Sequence, residues 1–173
     1  MSRRPASIAR SLLALAAVGV MASACETTRD YGYGTPGEST AFRPEDFAWS
    51  THMGRASIEG AVAYRQDGQA YSCTGSAGLT PDTPYTRARF RGLYGSMDRA
   101  AVPEAVVRAR TVADPNADYR AFVRSVPCQN NRFTFTDLPE GGWFVIAPVS
   151  AGGERVVLMR YVQTRGGRVS LTL

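Results

Sequence analysis

The strongest constraint on the fold is a change near residue 56, where an aperiodic segment gives way to short apolar runs of period two punctuated by Gly and Pro. Ile58, Gly60, Val62 and Tyr64 alternate with Ser57, Glu59, Ala61 and Ala63, which gives a strand one inward face, and Asp67-Gly68 follows as a hairpin turn. Ala70 to Ser72 resumes the extended pattern. Gly78-Leu-Thr-Pro-Asp-Thr-Pro84 is extended but broken by prolines, which cannot donate to a ladder and so predict a sheet edge or a crossover. Phe133 and Phe135 alternate with Arg132, Thr134 and Thr136, Leu138-Pro-Glu-Gly-Gly142 turns the chain, and Trp143 to Val149 is nearly all apolar, as suits the middle of a sheet. Glu154 to Val162 and Arg168 to Leu173 complete the series, joined by Arg165-Gly-Gly167. About seven short strands with frequent turns predict an all-β sandwich.

The middle of this region is less regular. Residues 95–118 fit either a short helix beginning near Pro103, with Ala105, Val106, Ala109 and Val112 on one side, or another strand. Tyr119 to Val126 reads as extended.

The first residues read as an address rather than as part of the fold. Arg3, Arg4 and Arg10 precede an apolar run from Ser11 to Met21, and Ala22-Ser-Ala24 then leads to Cys25. A membrane span takes about 20 apolar residues, so this run is a secretory signal covering residues 1–24. Met21-Ala-Ser-Ala-Cys25 resembles the lipobox of bacterial lipoproteins, although Ala22 stands where Leu is usual. That resemblance implies cleavage before Cys25 and acylation of its thiol; ordinary cleavage after Ala24 would instead release a soluble protein. Several acyl chains, each CH₂ contributing about 0.8 kcal/mol, would make the anchor permanent and place the protein in the bacterial envelope, facing the periplasm.

Residues 25–55 carry the lipidated end and a tether rich in Gly, Thr, Pro, Asp and Glu, with a reach of roughly 30 Å if flexible. Phe42, Phe47 and Trp49 are the exception, spaced to pack back onto the domain, and Pro44-Glu-Asp-Phe47 is suited to open a turn of helix. With Cys25 acylated, Cys73 and Cys128 remain as an even pair in an oxidising compartment, for which a disulfide is the economical assignment.

Composition narrows the chemistry. All 20 basic residues are Arg, which excludes lysine Schiff bases and a phosphate-loop lysine. After loss of the signal, 17 Arg face 15 acids, and a net charge of +2 gives no reason to expect nucleic acid as a partner. His52 is the one histidine, and no Cys/His cluster accompanies it, so neither a metal site nor any other cofactor is expected. Gly75-Ser-Ala-Gly78 lacks the Gly that a hydrolase elbow places two residues before its Ser, because position 74 is Thr. Asp137 and Glu140 flank a turn and read as solvated. One cluster suggests binding: Tyr85-Thr-Arg-Ala-Arg-Phe-Arg91, where Arg87, Arg89 and Arg91 would share one face of a strand beside Tyr85 and hold carboxylate or phosphate. The same pattern also describes an edge strand protected by charge. Tyr71, Tyr85 and Tyr94 fit either a sugar-stacking platform or the core.

The segment Asn131-Arg-Phe-Thr-Phe-Thr-Asp-Leu-Pro-Glu-Gly-Gly-Trp-Phe-Val-Ile146 resembles the carboxypeptidase regulatory-like module, a transthyretin-like sandwich of secreted bacterial proteins. There a strand of alternating aromatics runs into a Pro-x-Gly turn and an aromatic-rich return strand. Ile58-Glu-Gly-Ala-Val62 is similar to the module's first strand and Ser76 to Tyr85 to its second, so the resemblance covers most of residues 56–173. Cys128 stands where many members have an acidic turn residue, and residues 95–118 have the character of an insertion. The resemblance implies a fold and an adhesive or structural role; in the metallocarboxypeptidases the module is an appendage to a separate zinc domain, so it brings no catalytic residue here. The function expected is that of a non-enzymatic, lipid-anchored envelope protein whose sandwich meets an envelope protein or peptidoglycan, with carbohydrate or peptidoglycan binding through Tyr85, Arg87, Arg89 and Arg91 as the alternative.

Overall fold

Turns in the left-handed region set the strand boundaries of the computed structural model, which describes residues 40–110, 112 and 118–173. The signal segment, Cys25 and the tether before residue 40 lie outside the described residues. A 3-10 turn at Pro44–Thr51 precedes β1 (Ala56–Ala61), the small hairpin of β2 (Arg65–Gln66) and β3 (Gln69–Ala70), then β4 (Ser72–Cys73) and β5 (Ser76–Pro81). Next come α1 (Pro84–Tyr94), β6 (Arg99–Pro103), α2 (Glu104–Ala109) and a second 3-10 turn, Tyr119–Phe122. The series ends with β7 (Arg124–Pro127), β8 (Arg132–Leu138), β9 (Gly141–Ala151), β10 (Glu154–Thr164) and β11 (Arg168–Thr172). Asp67-Gly68 turns β2 into β3 with φ of 50° and 81°, and Asn130-Asn131, at 51° and 60°, turns the chain toward β8. Asn and Asp tolerate this region because their short polar side chains bond locally, which is why they stand at such two-residue turns.

The expected all-β sandwich is formed. One sheet has the order β11-β1-β8, and the other runs β6-β10-β9-β5-β7 with β4 also on β9. β1 pairs in parallel with β11 and antiparallel with β8, and β9 is central as its apolar run requires. Alternate residues of β9 face opposite ways. Trp143, Val145, Ala147 and Val149 meet Ile58, Phe133, Phe135, Leu138 and Leu171 between the sheets, together with Val156, Leu158 and Val162 of β10. Phe144 points to the other face, where it packs with Met159, Val157 and Val102 under Phe90 and Tyr94 of α1. The helix is therefore a third layer, and β9 is buried on both sides.

Three expectations change. β5 is not an edge, since it lies between β9 and β7; its Pro81 ends the strand and Pro84 opens α1, positions where a missing N–H costs little. Residues 95–118 hold both alternatives in succession, β6 and then α2. Tyr119 to Val126 splits into a 3-10 turn and part of β7 rather than running extended throughout.

Residues 42–51 pack onto the sandwich. Phe47 is fully buried among Phe42, Tyr85, Tyr119 and Phe122. Trp49 lies edge-on to Trp143 at 4.9 Å, and the absent side chain of Gly141 makes this approach possible: a Cβ there would overlap the Trp49 ring. Arg124 fastens the end of the segment, donating from Nη2 to the Ser50 carbonyl at 2.7 Å and from Nη1 to that of Asp137 at 3.3 Å.

Candidate functional site

The arginine cluster lies on a helix, not on a strand. Thr83 caps α1 by accepting the N–H of Thr86, Thr86 Oγ1 in turn accepts the N–H of Thr83, Pro84 occupies the first turn, and Gly95 closes the helix at φ 71°. These reciprocal bonds satisfy donors that a helix start otherwise leaves open, and they outweigh the period-two look of Arg87, Arg89 and Arg91. At about 100° per residue, Arg87 and Arg91 share a face while Arg89 turns away from it.

Each residue of the expected strip then has its own surroundings. Tyr85 is 3% exposed and lies against Phe42, with ring centroids 5.4 Å apart. Arg87 donates to both oxygens of Asp82 at 2.6 Å, and the Asp82 side chain is nearly buried. Tyr161 stands beside that pair; burial first, and then the Asp82 carboxylate, holds its phenol above the ordinary range, while Arg87 works the other way. Gly142 lets these groups come close, because a Cβ there would meet Tyr161 Oη and lie 2.7 Å from Asp82 Oδ2. The Arg89 guanidinium stacks on the Tyr119 ring at 5.0 Å. Burial opposes its charge, but hydrogen bonds and charge interactions with Tyr119 and Tyr85 raise its pKa on balance. Tyr85, Arg87 and Arg89 therefore pin α1 and the N-terminal segment to the large sheet, while Arg91 is exposed in the last turn of the helix, so the four do not form one recognition surface.

The three tyrosines considered for a sugar platform belong to three separate clusters and are buried in each. Tyr71 donates to Glu154 Oε2 at 2.5 Å, and this hydrogen bond, helped by burial, pushes its phenol up to about 12. Tyr94 is pushed up to about 12 by burial. His52 is exposed at the end of the first 3-10 turn, where its carbonyl faces Arg124.

Cys73 and Cys128 form the expected disulfide, with Cα atoms 5.9 Å apart and a sequence separation of 55. It ties β4 to the corner where β7 leads into β8. Asn131 reinforces that corner, its Oδ1 accepting the Cys73 N–H at 2.9 Å, and the Cys128 N–H reaches the Gly75 carbonyl at 3.0 Å.

A shallow cleft of about 410 Å³ opens beside α2, between Pro103, Ala105 and Gly153. Its one carboxylate, Glu104, is held by Arg108 and by Arg155 at 2.8 Å, so the cations lining the cleft are already paired. Among the described residues, no three of His, Cys, Asp and Glu gather as a metal ion would need.

The molecule is thus a disulfide-stapled β-sandwich with a helical cover, in which Arg87 and the arginines of the cleft are paired within the fold. No family model matches the chain, and no curated protein matches it. The crystal structure of a candidate carbohydrate binding protein from Pseudomonas aeruginosa, determined at 2.61 Å, is similar to it with a TM-score of 0.46 and 20% identity, over 76% of this chain and 97% of that one.

Proposed function

We propose that this is a non-enzymatic, lipid-anchored protein of the bacterial cell envelope, in which Cys25 carries the acyl chains and a carboxypeptidase regulatory-like sandwich faces the periplasm as an interaction module. The observation that carries the reading is the Cys73–Cys128 disulfide. Structural disulfides persist in oxidising compartments, which agrees with a secretory signal at residues 1–24. With those two thiols paired, Cys25 is the one cysteine left over, and it stands directly after the small residues of the signal. The partner is an envelope protein or peptidoglycan, and it meets a surface other than the cluster of Tyr85, Arg87 and Arg89, whose groups are engaged within the fold.

Intact mass and membrane fractionation of the wild type and Cys25→Ala, with thiol labelling before and after reduction, test the proposal. The expected wild type carries acyl mass, sediments with membranes and exposes two labelled thiols only after reduction; Cys25→Ala is soluble. An unacylated wild type with free thiols would overturn both the anchor and the compartment.

A further inference from the structure

The two sheets are unequal, and the mismatch leaves a ledge. β6 lies at the edge of the larger sheet, with Arg99, Ala101 and Pro103 in register with Arg160, Leu158 and Val156 of β10. Leu158 and Val156 are buried under the smaller sheet, but Arg99, Ala101 and Pro103, on that same face, are exposed. The smaller sheet stops at β11, one strand short of covering them.

β11 forms the wall of the ledge. Its bonds to β1 use the Gly167 carbonyl and both backbone groups of Leu173. Alternation along a strand therefore turns the N–H and C=O groups of Arg168, Ser170 and Thr172 away from β1, toward the open side. Among the described residues β11 pairs with no strand but β1. Arg160 reaches from floor to wall, its Nη1 donating to the Thr172 carbonyl at 2.9 Å.

The charge of the ledge is one-sided. Arg160 and Arg99 are directly opposite in the ladder, a like-charge pair that a sheet disfavours unless an anion intervenes. Arg160 has no salt bridge among the described residues, and the Arg99 guanidinium has one, at 3.3 Å, with the equally exposed Asp98. Such an exposed pair binds weakly and leaves the Arg99 guanidinium, together with the Arg160 nitrogens that Thr172 does not engage, open to an incoming carboxylate.

We infer that this ledge binds an extended acidic peptide, which adds as a strand to the open edge of β11 and sets its carboxylates on Arg99 and Arg160. Backbone bonds to Ser170 and its neighbours supply affinity, alternate side chains cover Ala101 and Pro103, and the arginines select for acid. This deepens the interaction-module reading on which it rests by naming the partner's chemistry, and it makes no use of the anchor.

The test uses the full chain in mild detergent and a fluorescent peptide of alternating Val and Glu, with a Val and Lys peptide as its counterpart. Anisotropy is expected to show saturable binding of the Glu peptide, with the Lys peptide weaker by about tenfold or more. Arg99→Glu sets an acid opposite Arg160 and cancels its charge, so it should remove that preference. Ser170→Pro removes an outward N–H that no β1 partner uses, and should abolish binding of both peptides. Hydrogen exchange should slow at the amides of residues 168–172 when the Glu peptide is bound. Equal affinity for the two peptides, protection at β6 instead of β11, or a dimer of the free protein that already protects β11 would each overturn the proposal. A chain that fractionates with membranes yet ignores the peptide would defeat only the strand addition, whereas one that binds the peptide but carries no acyl group would defeat only the anchor.

Discussion

Phe47→Ala asks whether the segment before β1 is a structural part of the domain. The Phe47 ring is fully buried, with centroids 4.7 Å from Phe122, 5.4 Å from Phe42 and 6.4 Å from Tyr85. Truncating a core Phe to Ala costs about 3–5 kcal/mol, the transfer of the ring plus the cavity left behind. Two of the walls, the stretch at Phe42 and the short Tyr119–Phe122 turn, lie outside the sheets and can close in part, so the lower end, about 3 kcal/mol, is expected. Against a domain stability of about 5–15 kcal/mol this is a large fraction. Urea unfolding followed by tryptophan fluorescence reads it directly, because Trp49 and Trp143 lie in contact. With a slope of about 2 kcal/mol/M, the midpoint should fall by about 1.5 M with the slope unchanged. Phe42→Ala, at a half-buried ring, should lose about half as much. A loss below about 1 kcal/mol for Phe47→Ala would refute the reasoning and return residues 42–51 to the tether.

Replacing Cys73 and Cys128 together by Ser should cost about 4 kcal/mol on the chain-entropy account of a loop this long, measured as the difference between oxidised wild type and the double variant. Thr83→Ala removes half of the reciprocal cap of α1 and should lower stability by about 1 kcal/mol in the same assay, while a neutral result would mean that packing of Phe90 and Tyr94 alone holds the helix. Tyr94, raised from 10 to about 12 by burial, favours its neutral form when folded, so its stabilisation is complete below about pH 10 and fades as pH climbs toward 12. Wild type should therefore lose on the order of 2–3 kcal/mol across that window through this residue, and Tyr94→Phe should lose correspondingly less between pH 9 and pH 11.5; parallel pH profiles would contradict it. Tyr71 acts with the same sign and continues to do so in that variant.

The parts of the fold readable in advance were those where one local rule acted alone. Asp67-Gly68 marks a hairpin because the backbone there needs left-handed residues, and Trp143 to Val149 marks a central strand because both faces are apolar. The disulfide followed from cysteine parity. α1 was misread because Arg87, Arg89 and Arg91 repeat with the period of a strand, while the helix signals lie at its borders: Thr83-Pro84 at the start, Gly95 at the end, and Thr86, Phe90 and Tyr94 spaced by four between them. Giving those borders more weight than the charges would have found it. The ledge was invisible for another reason. Period-two patterns say which face of a strand is apolar, but not that β6 extends past β11, which depends on the relative widths of the two sheets.

The pairing of β1 with β11 bears on how the chain reaches its final form. Ile58 sits beside Val169, so the strand synthesised first among the sheet elements waits for the one synthesised last. Contacts so far apart in sequence slow folding, and until β11 arrives an apolar edge of β1 is open to wrong partners. The β2–β3 hairpin and the long antiparallel pair of β9 and β10 need no such wait, so they are the natural places for order to begin. Closure of the smaller sheet is then a late event, during which a chaperone that shields bare strands would have most to contribute.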